Sequence, residues 1–391
     1  MYNFDEIVDR RNTDSVKYDF TVQHGMPEDV LPLWVADMDF RTAPGIIERA
    51  VADAAFGVYG YVEGRDAYFQ AVASWYRNYF DWKVEESWLV KTPGIVFAIA
   101  TAVRALTKEG ERVLIQPPVY YPFAKVIEDN NRVLVNNPLV MQNGRYEIDF
   151  EDFERRITDE DVKLFVLCSP HNPVGRVWTT EELRRMGEIC IKHGVKVVSD
   201  EIHSDFVYEG RKHHMFSTVD ASFGENCIIC TAPSKTFNMA GLQISNIFIQ
   251  NEEMRNAFRR EMTAAGYCEV NLFGLHACQA AYETGREWLE ELKTYLRGNL
   301  DYARQYLKEK LPMIKLVEPE GTYLIWLDCR ALGLSAEELE HLIVHEAKLW
   351  LDRGVIFGAE GEGFERINLA CPRTVLAEAL ERLRAAVEAR Q

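Results

Sequence analysis

Cys227-Ile228-Ile229-Cys230-Thr231 runs directly into Ala232-Pro233-Ser234-Lys235-Thr236-Phe237-Asn238-Met239-Ala240-Gly241-Leu242-Gln243. The first five residues are an apolar, β-branched run of strand length, so a buried strand is predicted with Ser234 and Lys235 just past its carboxyl edge. Ligands of open α/β sheets collect at that edge. A lysine there can attack a carbonyl, although an isolated Ser-Lys pair is more often a solvated surface feature.

Two other segments repeat the arrangement. Ser169-Pro170-His171-Asn172-Pro173-Val174-Gly175 follows the apolar run Leu164-Phe165-Val166-Leu167, and Asp200-Glu201-Ile202-His203 follows Val195-Lys196-Val197-Val198. Three motifs that end buried parallel strands converge on one crevice of a doubly wound sheet. An amide, a carboxylate and a lysine meeting there match the needs of pyridoxal 5'-phosphate. The lysine condenses with the cofactor's aldehyde, the carboxylate keeps the pyridine nitrogen protonated, and a neutral donor supports the ring oxygen.

On these motifs the chain resembles the fold type I pyridoxal-phosphate enzymes of aminotransferase class I/II. Within them it resembles the cystathionine β-lyase or C-S lyase branch through Leu33-Trp34-Val35-Ala36-Asp37-Met38-Asp39-Phe40, Asn143-Gly144-Arg145-Tyr146 with Asp149-Phe150, Asp200 to Asp205, and Asn238 to Gln243. The resemblance covers nearly the whole chain. It implies an aspartate aminotransferase-like α/β fold: a large domain at 46–285 with a mostly parallel, seven-stranded-type sheet between helices, and a smaller α+β domain from 1–45 and 286–391.

The resemblance also implies roles. Lys235 carries the cofactor and then serves as general base at the substrate's Cα, which burial and nearby positive charge favour by lowering its pKa. Asp200 partners the pyridine nitrogen, with a capping role as the alternative. Asn172 donates to the ring oxygen and also suits a turn before proline. Tyr120 stacks on the ring; Tyr121 is chemically equivalent, and the spacing from Pro118 favours Tyr120. The phosphate lies at the helix start formed by Gly94, Ile95 and Val96, where free N–H groups and the helix dipole attract an anion, with a hydroxyl from Ser234. Tyr61, with Tyr59 competing, reaches the phosphate of a neighbouring subunit, so a homodimer with an interfacial site is implied. Arg373 in Ala370-Cys371-Pro372-Arg373 binds the substrate α-carboxylate, for which a planar fork is suited. Ala36 completes the substrate side with Tyr120 and Asn172. Gln243 stands where many aminotransferases carry a phosphate-binding arginine, and His203 where they carry a tyrosine. Both replacements also occur in the C-S lyase branch.

The expected reaction is α,β-elimination from cystathionine or a related cysteine thioether to pyruvate, ammonia and a thiol. An aminotransferase shares every one of these residues and is the alternative; a non-catalytic regulator is a third reading, against which the intact lysine, aspartate and arginine set argues.

Composition narrows the classes. A chain of 391 residues with 47% hydrophobic and 27% charged residues is ordinary for a two-domain soluble protein. The net charge of -17 argues against a sequence-independent grip on nucleic acid. The start Met1-Tyr2-Asn3-Phe4-Asp5-Glu6 has no basic-then-apolar leader, and no apolar run reaches membrane-spanning length, so a cytoplasmic protein is expected. Eight cysteines are scattered. Cys227 and Cys230, three apart on a strand, point to opposite faces and suit packing rather than a disulfide or a metal. No metal is expected either at His341 and His345, which read as a solvated helix face.

Between about residues 90 and 250 strands alternate with amphipathic helices. Helices are predicted at Gly94 to Leu106 and at Thr180 to His193, the latter capped by Thr179 or Thr180, with a strand at Val113 to Gln116. From Glu283 onward Trp288, Leu289, Leu292, Leu296 and Leu300 repeat at helical spacing and predict one long helix leaving the first domain. A strand at Thr322 to Leu327, a helix at Ala336 to Leu349 and a strand at Arg366 to Ala370 complete the smaller domain.

Overall fold

A computed structural model describes residues 2–390. Its centre is a seven-stranded sheet of β1 (Leu89–Thr92), β2 (Arg112–Ile115), β3 (Val133–Asn136), β4 (Val162–Cys168), β5 (Lys196–Asp200), β6 (Cys227–Thr231) and β7 (Ser245–Phe248). The spatial order is β1-β7-β6-β5-β4-β2-β3, parallel except for β7, which runs antiparallel to both neighbours.

Both faces of this sheet are covered, which is why its strands read as continuous apolar runs. On β6 Cys227 and Ile229 enter one hydrophobic cluster while Ile228 and Cys230 enter the other. The second cluster includes Ile95, Ala98, Ile99 and Ala102 of helix α1 (Ile95–Leu106). That alternation also separates the two carboxylates that end β5. Asp200 shares the parity of Val198, on the α1 side, and Glu201 shares that of Val197, on the other.

Helix α2 (Thr180–Lys192) starts with a capping box: Thr179 accepts from the Glu182 N–H, and Glu182 accepts from the Thr179 N–H. The long helix expected from Glu283 onward is α3 (Arg286–Lys310), which starts three residues later because a separate helix, Leu272–Thr284, ends at Gly285. Gly285 packs so closely on the Phe237 ring that a Cβ there would lie 2.3 Å from it. The segment expected as a helix from Ala336 to Leu349 is α-helical only over Ala336–His341. It widens into a π turn at Leu342–Glu346 and ends in a strand, Leu349–Trp350, that pairs in parallel with Leu31–Pro32.

A second, antiparallel sheet contains β8 (Lys315–Val317), β9 (Leu324–Asp328), β10 (Asp352–Arg353) and β11 (Phe364–Asn368), in the order β8-β9-β11-β10. It packs with the far part of α3 and with α4 (Arg373–Glu388) around its own apolar cluster. Residues 34–40 run as a strap between the two sheets. Asn368 donates to the carbonyls of Val35 and Asp37, and Asn238 donates to those of Met38 and Phe40 while accepting from the Met38 N–H. Among the described residues no helix is long and apolar enough to cross a membrane.

Candidate active site

The carboxyl ends of β4, β5 and β6, the amino end of α1 and the strap enclose a cleft of about 490 Å³. Lys235 lies on the single helical turn Pro233–Thr236 that follows β6, and its Nζ donates to the Ala36 carbonyl at 2.9 Å. The buried Tyr323 hydroxyl donates to the same carbonyl, also at 2.9 Å. Burial pulls the Lys235 ammonium down to about 8; Arg366 adds to that effect, and Asp37 and Asp200 oppose it.

Asp200 ends β5 inside the cleft. Burial pushes its carboxyl up to about 7, against the Ile202 N–H bond and the charge of Lys235. Glu201, one residue on, faces away and is satisfied by the Ser199 hydroxyl, the Phe216 N–H and His213. Two adjacent carboxylates thus have separate surroundings, and Asp200 alone of the two faces the cleft.

His203 lines the same wall. Burial, with Lys235 and Arg366 nearby, lowers its imidazole to about 3, so the ring is neutral, and its buried Nδ1 has no partner. Asn172 is buried opposite, and its Oδ1 accepts from Nη1 of Arg366 at 2.9 Å. Tyr120 and Tyr121 both line the cleft, tilted 50° to each other.

At the far end Gly94, Ile95 and Val96 open α1 with no side-chain cap, leaving the first N–H groups of a 12-residue helix turned to the cleft. A Cβ on Gly94 would meet open space. Ser234 lies beside them, and Ser245, the first residue of β7, has a buried hydroxyl without a partner. Gln243 also lines this end.

The arginine expected for a carboxylate is corrected. Arg373 opens α4 outside the cleft. Its Nε bonds Asn299 at 2.6 Å, and its guanidinium lies over the Tyr302 ring at 5.1 Å. The cleft presents Arg366 instead, on β11. Arg366 is buried, donates to Asn172 and to the Trp34 carbonyl, and forms an ion pair with Asp352, while its Nε is unpartnered. A charged residue inside a buried strand was the available signal, since such a group persists there only when paired or used. Ser245, Asp352, Trp34 and Tyr323 were likewise not anticipated. Tyr61 is 92% exposed and lies outside the cleft of its own chain. Tyr59 is exposed too, with its hydroxyl on the Ala54 carbonyl.

The donor set fits pyridoxal phosphate: free helix N–H groups and two serine hydroxyls for a dianion, an amine for an aldehyde, a carboxyl for a ring nitrogen, and an unpartnered imidazole nitrogen and an amide near a ring hydroxyl.

Fold and cleft together define an aspartate aminotransferase-like protein. The chain belongs to the aminotransferase class I and II family, which it matches over residues 28–383. It is 43% identical to cystathionine beta-lyase PatB of Bacillus subtilis (strain 168), over 98% of this chain and 100% of that protein. The crystal structure of cystalysin from Treponema denticola, which contains a pyridoxal 5'-phosphate cofactor, superposes with a TM-score of 0.96 at 37% identity, over 100% of both chains. That of the pyridoxal-phosphate-bound C-S lyase from Staphylococcus hominis, complexed with L-cycloserine, gives a TM-score of 0.92 at 32% identity over 99% of each chain.

Proposed function

We propose that this protein is a pyridoxal-phosphate-dependent carbon–sulfur β-lyase that splits L-cystathionine or a related cysteine thioether into pyruvate, ammonia and a thiol. The observation that carries the reading is the convergence of Lys235, Asp200 and Arg366 on one cleft, in a chain whose full-length relatives include enzymes named for this reaction.

When bound, the cofactor withdraws electrons from the substrate's Cα. Asp200 holds a proton on the ring nitrogen, and pairing with it draws the Asp200 carboxyl back below its raised value. The helix start at Gly94, Ile95 and Val96, with Ser234 and Ser245, holds the phosphate. Tyr120 covers the ring face, and Asn172 and His203 meet the ring oxygen. Arg366, already aligned by Asn172 and Trp34, takes the substrate's α-carboxylate. Lys235 removes the Cα proton; an amine titrating near 8 is deprotonated in a useful fraction at neutral pH and becomes a competent acid once protonated. The sulfur leaves Cβ with the bonding pair and takes one proton, and one water per turnover converts the remaining fragment to pyruvate and ammonia.

The site is completed by a second copy. Phe56, Val58, Tyr59 and Tyr61 form an exposed apolar run, 75, 63, 62 and 92% accessible, and clustered apolar surface of this kind marks interaction sites. Tyr61 reaches the partner's phosphate from this run. The free cysteines, buried except Cys268, suit a reducing cytoplasm.

The aminotransferase alternative is separated by one assay: enzyme with cystathionine and no keto acid. Continuous release of pyruvate and thiol supports the lyase. A single turnover that stalls with the amino group left on the cofactor would overturn it.

A further inference from the structure

Beyond the cleft lies a second chamber of about 350 Å³, and the two share Trp34, Tyr121 and Asp352 as a common wall. Nothing in the proposed chemistry uses this chamber. We infer that it is the subsite for the leaving half of the thioether and that it selects a leaving thiol carrying an ammonium group.

Direction is the first argument, and it rests on the lyase reading. The phosphate end of the cleft is at Gly94 and Ser245, and the α-carboxylate end is at Arg366 and Asn172. Tyr121, Trp34 and Asp352 form the wall that adjoins Arg366, and a substituent on Cβ that turns away from the phosphate end meets this wall, behind which the chamber opens.

Chemistry is the second. Three carboxylates border the chamber, those of Glu340, Asp352 and Glu365, against one guanidinium, that of Arg353. Arg353 is already bonded to Glu340 at 2.7 Å, and Asp352 is paired with Arg366 across the wall. Glu365 differs from both. It is only 2% exposed, and its side chain has no hydrogen bond or ion pair among the described residues. Burial, followed by Asp352 and Glu340, pushes its carboxyl well up, and Arg353 only partly offsets this. A carboxyl so raised favours its neutral form while it has no partner, and an ammonium brought beside it would draw it back toward the charged form.

The chamber is also lined by aromatic rings. Trp34 and Trp350 stack at 4.4 Å and 14°, and His24 tilts against both at 5.9 and 5.5 Å. Trp34 keeps a buried Nε1 with no acceptor. Aromatic faces together with acidic groups recognise ammonium ions and disfavour carboxylates. The leaving half of L-cystathionine supplies this ammonium with an α-carboxylate on the same carbon, so a thioether that carries the ammonium alone isolates the demand. Simple S-alkyl cysteines carry no such ammonium.

The test uses holoenzyme and three thioethers of matched length: S-(2-aminoethyl)-L-cysteine, S-propyl-L-cysteine and S-(2-carboxyethyl)-L-cysteine. Thiol release should give a kcat/KM for the aminoethyl compound about tenfold or more above the propyl compound, with the carboxyethyl compound lowest. Glu365→Gln should shrink the aminoethyl-to-propyl ratio at least about fivefold, and Glu340→Gln, at a more exposed position, should shrink it in the same direction. Binding without turnover is read from L-lysine and L-2-aminoheptanoic acid, in which a methylene replaces sulfur. Calorimetry should show lysine binding about tenfold tighter. Equal or reversed preference in either measurement overturns the inference. If no thioether releases a thiol, the lyase reading falls, and the lysine comparison still decides what the chamber binds. Should Glu365→Gln fail to fold, the wild-type ratio and Glu340→Gln decide.

Discussion

Two arginines seven positions apart separate what a motif can locate from what a strand dictates. Arg373 follows the Cys-Pro pair just beyond β11 and looks placed for a ligand, yet it opens a helix and spends its fork on Asn299 and Tyr302. Arg366 lies within the strand, and antiparallel register sets it beside Asp352. Arg366→Lys removes the bidentate geometry while keeping the charge; KM for the amino-acid substrate should rise roughly 30-fold or more, the effect of about 2 kcal/mol or more when one member of a buried charged contact is lost. Arg373→Ala should lower the melting temperature while KM stays within about twofold, because it touches no cleft residue. A rise in KM confined to Arg373→Ala would reverse the assignment. Asp200 gives a second residue-level expectation, in the cofactor-free protein. Its carboxyl titrates at about 7 when folded and near 4 when unfolded. Between these values the folded chain holds a proton that the unfolded chain has lost, so stability from this group is present below about 4 and is lost as pH rises through about 7. Asp200→Asn removes that loss. At pH 8 the cofactor-free variant should be more stable than wild type by on the order of 3 kcal/mol, while its cofactor affinity falls. Thermal melts across pH 4–8 check this, and an unchanged slope would dismiss the buried-carboxyl account. Lys235, Asp200 and Asn172 were legible in the sequence because each ends an apolar run. Ser245 was not, because its importance lies in an unpartnered hydroxyl that only three-dimensional packing reveals.

Elements were legible wherever burial and chain period agree. The runs that became β4, β5 and β6 are apolar on both faces, and Thr179 with Glu182 marks the start of α2 three residues apart. The readings failed where two different backbones share one period. Leu342, Ile343 and Val344 continue the apolar spacing of Leu339, so a π turn and an α-helix look alike in the sequence. The start of α3, read at Glu283 and found at Arg286, shifts for a related reason, since a lone glycine inside a helical pattern is tolerated at modest cost and does not by itself mark a boundary. What breaks the helix is contact: the Phe237 ring occupies the place of a side chain, and the Ala281 carbonyl lies 2.6 Å from where a Cβ would be. Phe237 follows Lys235 by two residues, so the break lets the long helix α3 pack against the turn that carries the lysine. Gly285→Ala should therefore destabilise the protein by about 1–3 kcal/mol, although alanine is the better helix former. Chemical denaturation measures it, and a stabilised Gly285→Ala would show that Phe237 yields without cost.

At the scale of the whole molecule, one chain gathers a nearly complete cleft yet leaves Tyr61 in water at the end of an exposed apolar run. Neither observation alone defines an assembly, but together they fix what an assembly must do if Tyr61 serves a neighbour's phosphate. In a twofold dimer each site then draws Lys235 from one subunit and Tyr61 from the other. Tyr61→Ala should weaken cofactor binding about tenfold or more through loss of a hydrogen bond to a charged group, and Lys235→Ala should abolish turnover. Mixing these two variants after reversible dissociation separates the possibilities. In the mixed dimer one site holds both mutations, while the other holds the native lysine of the first subunit and the native tyrosine of the second. Random reassortment makes half of the dimers mixed, each with one intact site, so activity at limiting cofactor should recover to about one quarter of wild type. If both residues belonged to the same chain's site, every site would carry one lesion and mixing would restore nothing. Recovery of activity is thus a readout of geometry, independent of how strongly either variant is impaired, and sedimentation of the same mixture reports whether the dimers have exchanged.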